Sequence, residues 1–491
     1  MGITKCVPKN IWRGPFLAAL FISTLTSAAL PQNGKSDLVV VNATVRTMSE
    51  EKVIAQAIAV IGDTIAAVGS DEEIKKLIGT NTITIDAMGR LVLPGFNDSH
   101  VHFMSIGNLF SSIDLGEATS GGDIAKRIAR YSKYLPKGRW ILGSGVPSDI
   151  AVTKLELETA APENPVFIYR TGAHEALVNS QARDRAGLKP ANSAIAAGDD
   201  LAMLRAVVPK KHLTDWSSVA ETATNYAASL GVTSVQDMQS DDMFDIYAVL
   251  ERQGKLKTRI YDCVSISNRT KKPRTASNTT LVRGGCVKGF WETGDDGATE
   301  LLERGARAAD KDGFQVMVHA IGSRPVSVVL GIFERMSAEK RAHSRRFRIE
   351  HAHHIDAKDI AKFARFKIIA SMQPHLFDRR GDRYRGMIAS GVPLAFGSDA
   401  SIADFDPLLG IHSAVNAESG NALTVQQAVE AYTIGSAYAE FQERNKGTIE
   451  VGKVADFIIL SDDIFAIDRL RIRDASIVKT IMDGRLVYDA K

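Results

Sequence analysis

At 491 residues, with 45% hydrophobic and 24% charged positions, the chain can bury a large core and is too long for one small domain. Its formal net charge is only +3 and no basic patch stands out, which argues against a nucleic-acid partner. Three cysteines are too few for a disulfide framework, so the fold must rest on its core.

The chain starts with Lys5, Lys9 and Arg13, continues through the apolar run Phe16-Leu17-Ala18-Ala19-Leu20-Phe21-Ile22, and reaches the small residues Ser27-Ala28-Ala29. That order is the pattern of a signal peptide over residues 1–29, and it predicts export to the periplasm or the cell exterior. Ser23 and Thr24 keep the apolar run short of the about 20 residues a membrane span needs, so no stable span is expected after cleavage. Loss of the leader brings the net charge to zero and leaves Cys263 and Cys286, a pair that could bridge in an oxidising compartment.

Short β-type runs follow, at Leu38 to Val41, Ala57 to Ile61, Thr64 to Val68, Thr82 to Ile85 and Leu91 to Leu93, with Gly62-Asp63 as a hairpin signal. The C-terminal end is similar, with runs at Val454 to Leu460, Ile477 to Ile481 and Leu486 to Tyr488. Both ends together predict one composite β-sandwich, residues 36–93 plus 445–491. The middle, 94–444, alternates strand-like and amphipathic helical stretches. Eight strands are expected: the stretch ending in His100-Val101-His102, then Val232 to Met238, Arg259 to Val264, Cys286 to Phe290, Gln315 to His319, Phe347 to His351, Ile368 to Met372 and Leu394 to Ser398. Eight such units close most economically as a (β/α)8 TIM barrel. About 130 residues separate the first two strands, too many for one crossover, so an inserted subdomain is expected at about 104–228. Thr424 and Gln427 read as a helix capping box.

The chemistry lies where these strands end. His100 and His102 are spaced to project from one face of a strand. Lys288, His319, His351 and Asp399 fall at the carboxyl ends of later strands, the face on which barrel active sites lie. Any one of them alone has an ordinary structural reading, such as a hydrogen-bonded core histidine or a helix cap. Together they form a ligand set suited to zinc or a similar divalent ion, the lysine only with its amine neutral or carboxylated.

The segments Leu93-Pro94-Gly95-Phe96-Asn97-Asp98-Ser99-His100-Val101-His102, Val318-His319-Ala320-Ile321-Gly322, Arg348-Ile349-Glu350-His351-Ala352, Ser371-Met372-Gln373-Pro374 and Phe396-Gly397-Ser398-Asp399 resemble those of the amidohydrolase superfamily, in particular amidohydrolase family 3, from about Asp37 to the C-terminus. The resemblance implies a hydrolase of small amide, formamide or N-acyl amino acid substrates with two divalent metal ions. His100 and His102 would hold the more buried ion and His319 and His351 the other. Carboxylated Lys288 would bridge them, and Asp399 would touch the buried ion and carry protons. A cysteine bridge from Cys286 is the rarer arrangement. Gly289-Phe290-Trp291-Glu292-Thr293-Gly294, followed at once by a helix, and Gly322-Ser323 in place of the usual Gly-Asp depart from the family pattern and leave the substrate class open.

His174, in Gly172-Ala173-His174, resembles a Gly-x-His segment of the family's inserted subdomain and reads equally as a substrate contact or a structural residue, and Phe290 and Trp291 could form an aromatic pocket wall. His353, His354 and His375 are expected near the same rim as supporting or solvated residues. Two other functions fit such a barrel: a one-metal deaminase of a cyclic amidine, which Lys288 argues against, and a catalytically silent binding protein, which the full ligand set argues against. Homo-oligomerisation stays open.

Overall fold

The computed structural model describes residues 35–490 except 52, 111, 172–173, 210–215, 239–242, 270–272, 276–280, 295, 340–344, 377–382, 401 and 419. The leader read at residues 1–29 lies outside the described residues. No helix among them is long and apolar enough to cross a membrane.

Eight strands form the parallel path of a nine-stranded central sheet, whose ninth member, the short strand Arg274–Thr275, lies antiparallel on β4: β1 (Phe96–Val101), β2 (Val232–Met238), β3 (Arg259–Ser265), β4 (Val282–Phe290), β5 (Gln315–Ala320), β6 (Arg348–His351), β7 (Ile369–Met372) and β8 (Leu394–Phe396). They lie side by side in chain order and every neighbouring pair is parallel. The ends of the sheet meet after β8, where the Asp399 N–H donates to His100 O (2.8 Å) and the His102 N–H donates to Ala400 O (2.6 Å). The sheet therefore curls into a (β/α)8 TIM barrel, and its closing seam runs through three of the expected ligands. Strand residues such as Val235, Val287, Val318 and Ile349 point outward into the main apolar core. Interior positions carry Met238, Tyr261, Cys263, Cys286 and Met317. Burial on both faces is the reason these strands read as nearly continuous apolar runs.

Two departures from simple alternation shape the active face. The sequence predicts β4 from Cys286, yet the strand begins at Val282, because Gly284-Gly285 weakens the strand signal over pairing that nonetheless forms. Asp262 pairs with Gly284, but Cys263 pairs with Cys286, so Gly285 is an extra residue. That bulge places Cys286 against Cys263, to which it is disulfide-bonded, and Lys288 against Ser265. The bond removes Cys286 from consideration as a bridging ligand. β1 also carries register shifts against β2 and stops at Val101. His102 is thus not a strand residue but the N-cap of helix α1 (Phe103–Leu109).

The two ends of the chain meet below the barrel. Strand Leu91–Pro94 pairs antiparallel with Phe457–Leu460 in a six-stranded sheet, and this faces a four-stranded sheet of N-terminal strands across a core that includes Val40, Ile58, Val92, Phe457 and Ile481. Buried Arg259 at the start of β3 ties barrel to sandwich, donating to Asp456 (2.6 and 3.1 Å) and Asp483 (3.0 Å). Between β1 and β2 stands a five-stranded sheet built from Ile113–Asp114, Ile141–Val146, Val166–Arg170, Glu175–Val178 and Ile195–Ala197, with its own apolar core. The Thr424–Gln427 capping box forms in both directions (3.0 and 3.1 Å).

Candidate metal centre

β1, β4, β5 and β6 and the residues just past β1 and β8 bring the expected ligands to the same mouth of the barrel. His100 and His102 both aim Nε2 at Asp399 Oδ1, at 3.5 and 3.4 Å. These three ligand atoms lie within 4.8 Å of one another. Lys288 reaches in from β4, its Nζ 3.3 Å from His100 Nε2. The His351 ring centroid is 4.7 Å from that of His100 and 4.5 Å from that of His319. All six expected ligands therefore form one continuous group.

Backbone conformation aims two of them. In β6, Arg348 and Glu350 face the barrel interior while Ile349 joins the outer core, so strict alternation would send His351 outward. His351 instead has φ of 72° and Ala352 one of 47°, and this left-handed pair turns the imidazole in over the mouth. Asp399 likewise has φ of 57°. Such conformations are costly for non-glycine residues and cluster at functional sites.

Buried partners then fix the rings. His100 Nδ1 donates to Glu350 Oε2 (2.7 Å), whose carboxylate also accepts from Arg348 Nε (2.8 Å) and Nη2 (3.0 Å). Arg348 further donates to Ser99 O (2.6 Å), Ser371 Oγ (3.1 Å) and the Gln236 amide oxygen. His351 Nδ1 meets Gln373 Oε1 at 2.7 Å. With Nδ1 as donor in both rings, Nε2 keeps its lone pair toward the common centre. Asp98 accepts from the His100 and Ser398 backbone N–H groups (3.0 and 3.1 Å), clamping the seam beside the ligands. Glu350, Arg348, Gln373 and Asp98 stood inside the quoted sequence segments without a role. The signal that could have found them is a charged or amide residue in a strand whose neighbours are apolar, since such a group must have a buried partner.

Burial penalises the charged form of the site's bases. It pushes His100 and His351 well below the ordinary histidine range, helped for His100 by the Lys288 charge and for His351 by its histidine neighbours. Burial and Lys288 bring His319 down to about 4. The same desolvation lowers Lys288 to about 8, against the opposing pull of Glu350 and Asp399. Asp399 shows the reverse: burial works against its charge, but the His102 hydrogen bond and the surrounding His100, His102 and Lys288 hold it below the usual carboxylate range. Neutral imidazoles at His100, His319 and His351 and an ionised Asp399 are protonation states that bind a divalent cation, and the lowered Lys288 amine carries a larger neutral fraction than an ordinary lysine. His319 Nε2 is buried with no hydrogen-bond partner among the described residues, as expected of a ligand atom.

The remaining expected residues fall elsewhere. Phe290 stacks on the His319 ring at 4.0 Å and is exposed. Trp291 is buried, its indole N–H donating to Thr299 Oγ1 (3.2 Å). Both line a cavity of ≈ 590 Å3 that reaches Lys288. His174 is exposed just before strand Glu175–Val178, and no contact among the described residues links it to the ligand group. His353 is buried, and His375 Nε2 meets Asp404 O at 2.7 Å.

A TIM barrel with histidine and carboxylate ligands gathered over the carboxyl ends of its strands is the architecture of a metal-dependent hydrolase. The chain belongs to the amidohydrolase family, whose profile matches residues 84–488. It is 28% identical to protein LONG AFTER FAR-RED 3 of Arabidopsis thaliana, covering 96% of this chain and 95% of that one. It is 24% identical to an N-substituted formamide deformylase of Arthrobacter pascens, covering 92% and 98%. Among solved structures, a metal-dependent hydrolase from Pyrococcus horikoshii superposes with a TM-score of 0.60 at 25% identity, over 88% of this chain and 99% of that one. The protein is thus a metal-dependent hydrolase of carbon–nitrogen bonds.

Proposed function

We propose that the protein cleaves an amide-type, non-peptide C–N bond of a small molecule, such as a formamide or an N-acyl amino acid, with Asp399 as the proton carrier. The convergence of His100, His102 and Asp399 within 4.8 Å, with Lys288 beside them, carries this reading. The formamide deformylase activity named for the Arthrobacter pascens relative supports the bond type. His100, His102 and Asp399 would hold one divalent cation and His319 and His351 a second. Zinc suits the nitrogen and oxygen donors best. Such ions, when bound, polarise the carbonyl and lower the pKa of water.

The chain's own groups do the rest. Lys288, with its amine at about 8, holds a neutral fraction near pH 7 that can add carbon dioxide, release a proton and present two carbamate oxygens to both ligand sets. Asp399 takes a proton from the attacking water as the C–O bond forms and gives it to the nitrogen as the C–N bond breaks, leaving a carboxylic acid and an amine. The protein would act after export, and the bridged Cys263 and Cys286 suit an oxidising compartment.

The test is a screen of formamides, N-acyl amino acids and aryl amides with metal-replete protein, alongside Asp399→Asn. Loss of at least about 100-fold in kcat with the fold intact is expected. Unchanged turnover would remove Asp399 from the reaction. Metal analysis giving about one ion per chain in the active protein would favour a mononuclear deaminase instead.

A further inference from the structure

The cavity beside Lys288 is built by the ends of β3 and β4 and by helix α2 (Asp296–Lys311). α2 packs on the barrel through Leu302, Ala306 and Ala309, one face of a 3.6-residue repeat. Its neighbouring positions do something else. Leu301 is 61% exposed and Phe290, across the gap, is 63% exposed, although both are large apolar side chains next to buried ones. Ile266 and Leu302 complete an apolar wall. Exposed apolar groups gathered on a concave surface, continuous with a catalytic centre, mark where a ligand covers them.

Gly305, one turn after Leu301, keeps this wall open. A Cβ there would meet Ile266 Cδ1 at 3.4 Å, an ordinary contact, so any longer side chain would extend into the cavity. Of the three charged side chains that line the cavity, Lys288 belongs to the ligand group at its inner end, and the other two are turned to other partners. Arg269 donates to Asp312 (3.3 Å) and to Ile266 O (3.2 Å), and the Glu292 carboxylate lies 4.0 Å from His319 Nε2. Beyond Lys288 at the inner end, a carboxylate on the substrate would find apolar carbon and an acidic neighbour on this side.

We propose that this cavity seats a bulky, uncharged alkyl or aryl arm of the substrate, and that Gly305 and Leu301 set its permitted size. The inference rests on the amide-hydrolase reading above. The volume of ≈ 590 Å3 lies within the roughly 300–1,000 Å3 of pockets that enclose sizeable ligands, far more than a formyl or acetyl group needs.

Two probe series separate the halves of the amide. N-methylformamide to N-octylformamide lengthens the amine side, and N-methylacetamide to N-methyloctanamide lengthens the acyl side. Along one of them kcat/KM should climb, by about tenfold or more per well-seated methylene. Gly305→Leu should flatten the climb, lowering the ratio of kcat/KM between the longest and the shortest member by about tenfold or more, whereas an equal loss at every length would leave that ratio unchanged and count against the proposal. Leu301→Glu, at an exposed position that cannot unfold the core, should act in the same direction. Equal rates along both series in the wild-type enzyme, or a climb untouched by either variant, overturns the proposal. Calorimetric binding of the same probes separates it from the reading it rests on. Length-dependent binding that Gly305→Leu removes, with no amide turned over by the wild type, supports the cavity and sinks amide hydrolysis.

Discussion

Replacing Glu350 by Gln tests how the metal centre is held. Glu350 is fully buried; its Oε1 accepts from Arg348 Nε (2.8 Å), and its Oε2 accepts from both Arg348 Nη2 (3.0 Å) and His100 Nδ1 (2.7 Å). Glutamine fills the same space but offers one acceptor oxygen and one amide NH2 donor. With the oxygen in the Oε1 place, the NH2 meets the His100 proton and Arg348 Nη2. With it in the Oε2 place, the NH2 meets Arg348 Nε. In either orientation the buried Arg348 charge loses its counter-charge, at about 3–5 kcal/mol, a large share of the roughly 5–15 kcal/mol that keeps a domain folded. The freed His100 ring should also cost about 10–100-fold in metal affinity. Urea unfolding of metal-free protein reads the first effect and chelator competition the second. The double variant Arg348→Met/Glu350→Leu removes the buried charges together, so it should recover part of the stability and none of the affinity. A folded Glu350→Gln protein with wild-type metal affinity would refute the orienting role.

Three further outcomes are expected. Lys288→Ala should lower metal content from about two ions per chain to about one and abolish turnover, read by elemental analysis of dialysed protein; full metal content would remove the lysine bridge. In the metal-free protein, the Lys288 amine lies at about 8 in the fold against a reference of 10.5, so between those values the unfolded chain binds a proton that the fold does not. Stability should therefore rise with pH across that window, with the penalty fully present below it, and Lys288→Met should remove this rise; equal slopes in urea unfolding at several pH values would contradict the shift. Replacing Cys263 and Cys286 by Ala opens a link with a sequence separation of 23 and should cost about 3 kcal/mol under oxidising conditions and much less with reductant present; equal loss in both would mean packing, not the bond, is what matters.

The barrel was legible because buried parallel strands produce unbroken apolar runs, and seven of the eight begin and end within about two residues of the periodicity reading. β4 was cut short because Gly284 and Gly285 carry no strand preference; what they supply is an extra residue, visible only against the β3 partner. The ligand types were legible for a different reason: imidazoles and carboxylates at strand ends have few other uses. Their supports were not. Glu350 and Gln373 look like ordinary polar residues until the tertiary fold sets their carboxylate and amide 2.7 Å from the Nδ1 atoms of His100 and His351.

His351 and His102 join the ligand group for a geometric reason that strand periodicity does not supply. Period-two alternation explains neither: His102 has left the strand for the start of α1, and His351 sits at the wrong parity in β6. The backbone corrects both, through the seam bond from His102 N–H to Ala400 O and through the positive φ at His351 and Ala352. Gly397 belongs to the same seam, because a Cβ there would come within 2.5 Å of the His100 nitrogen and 2.6 Å of Asp98 Oδ1. The strand ends must therefore approach more closely than any side chain allows, and that approach brings Asp399 within 3.5 Å of two imidazoles on the far side of the barrel's closure. Closing the barrel and assembling the ligand set are one structural event, so disturbing the seam should cost fold stability and metal affinity together.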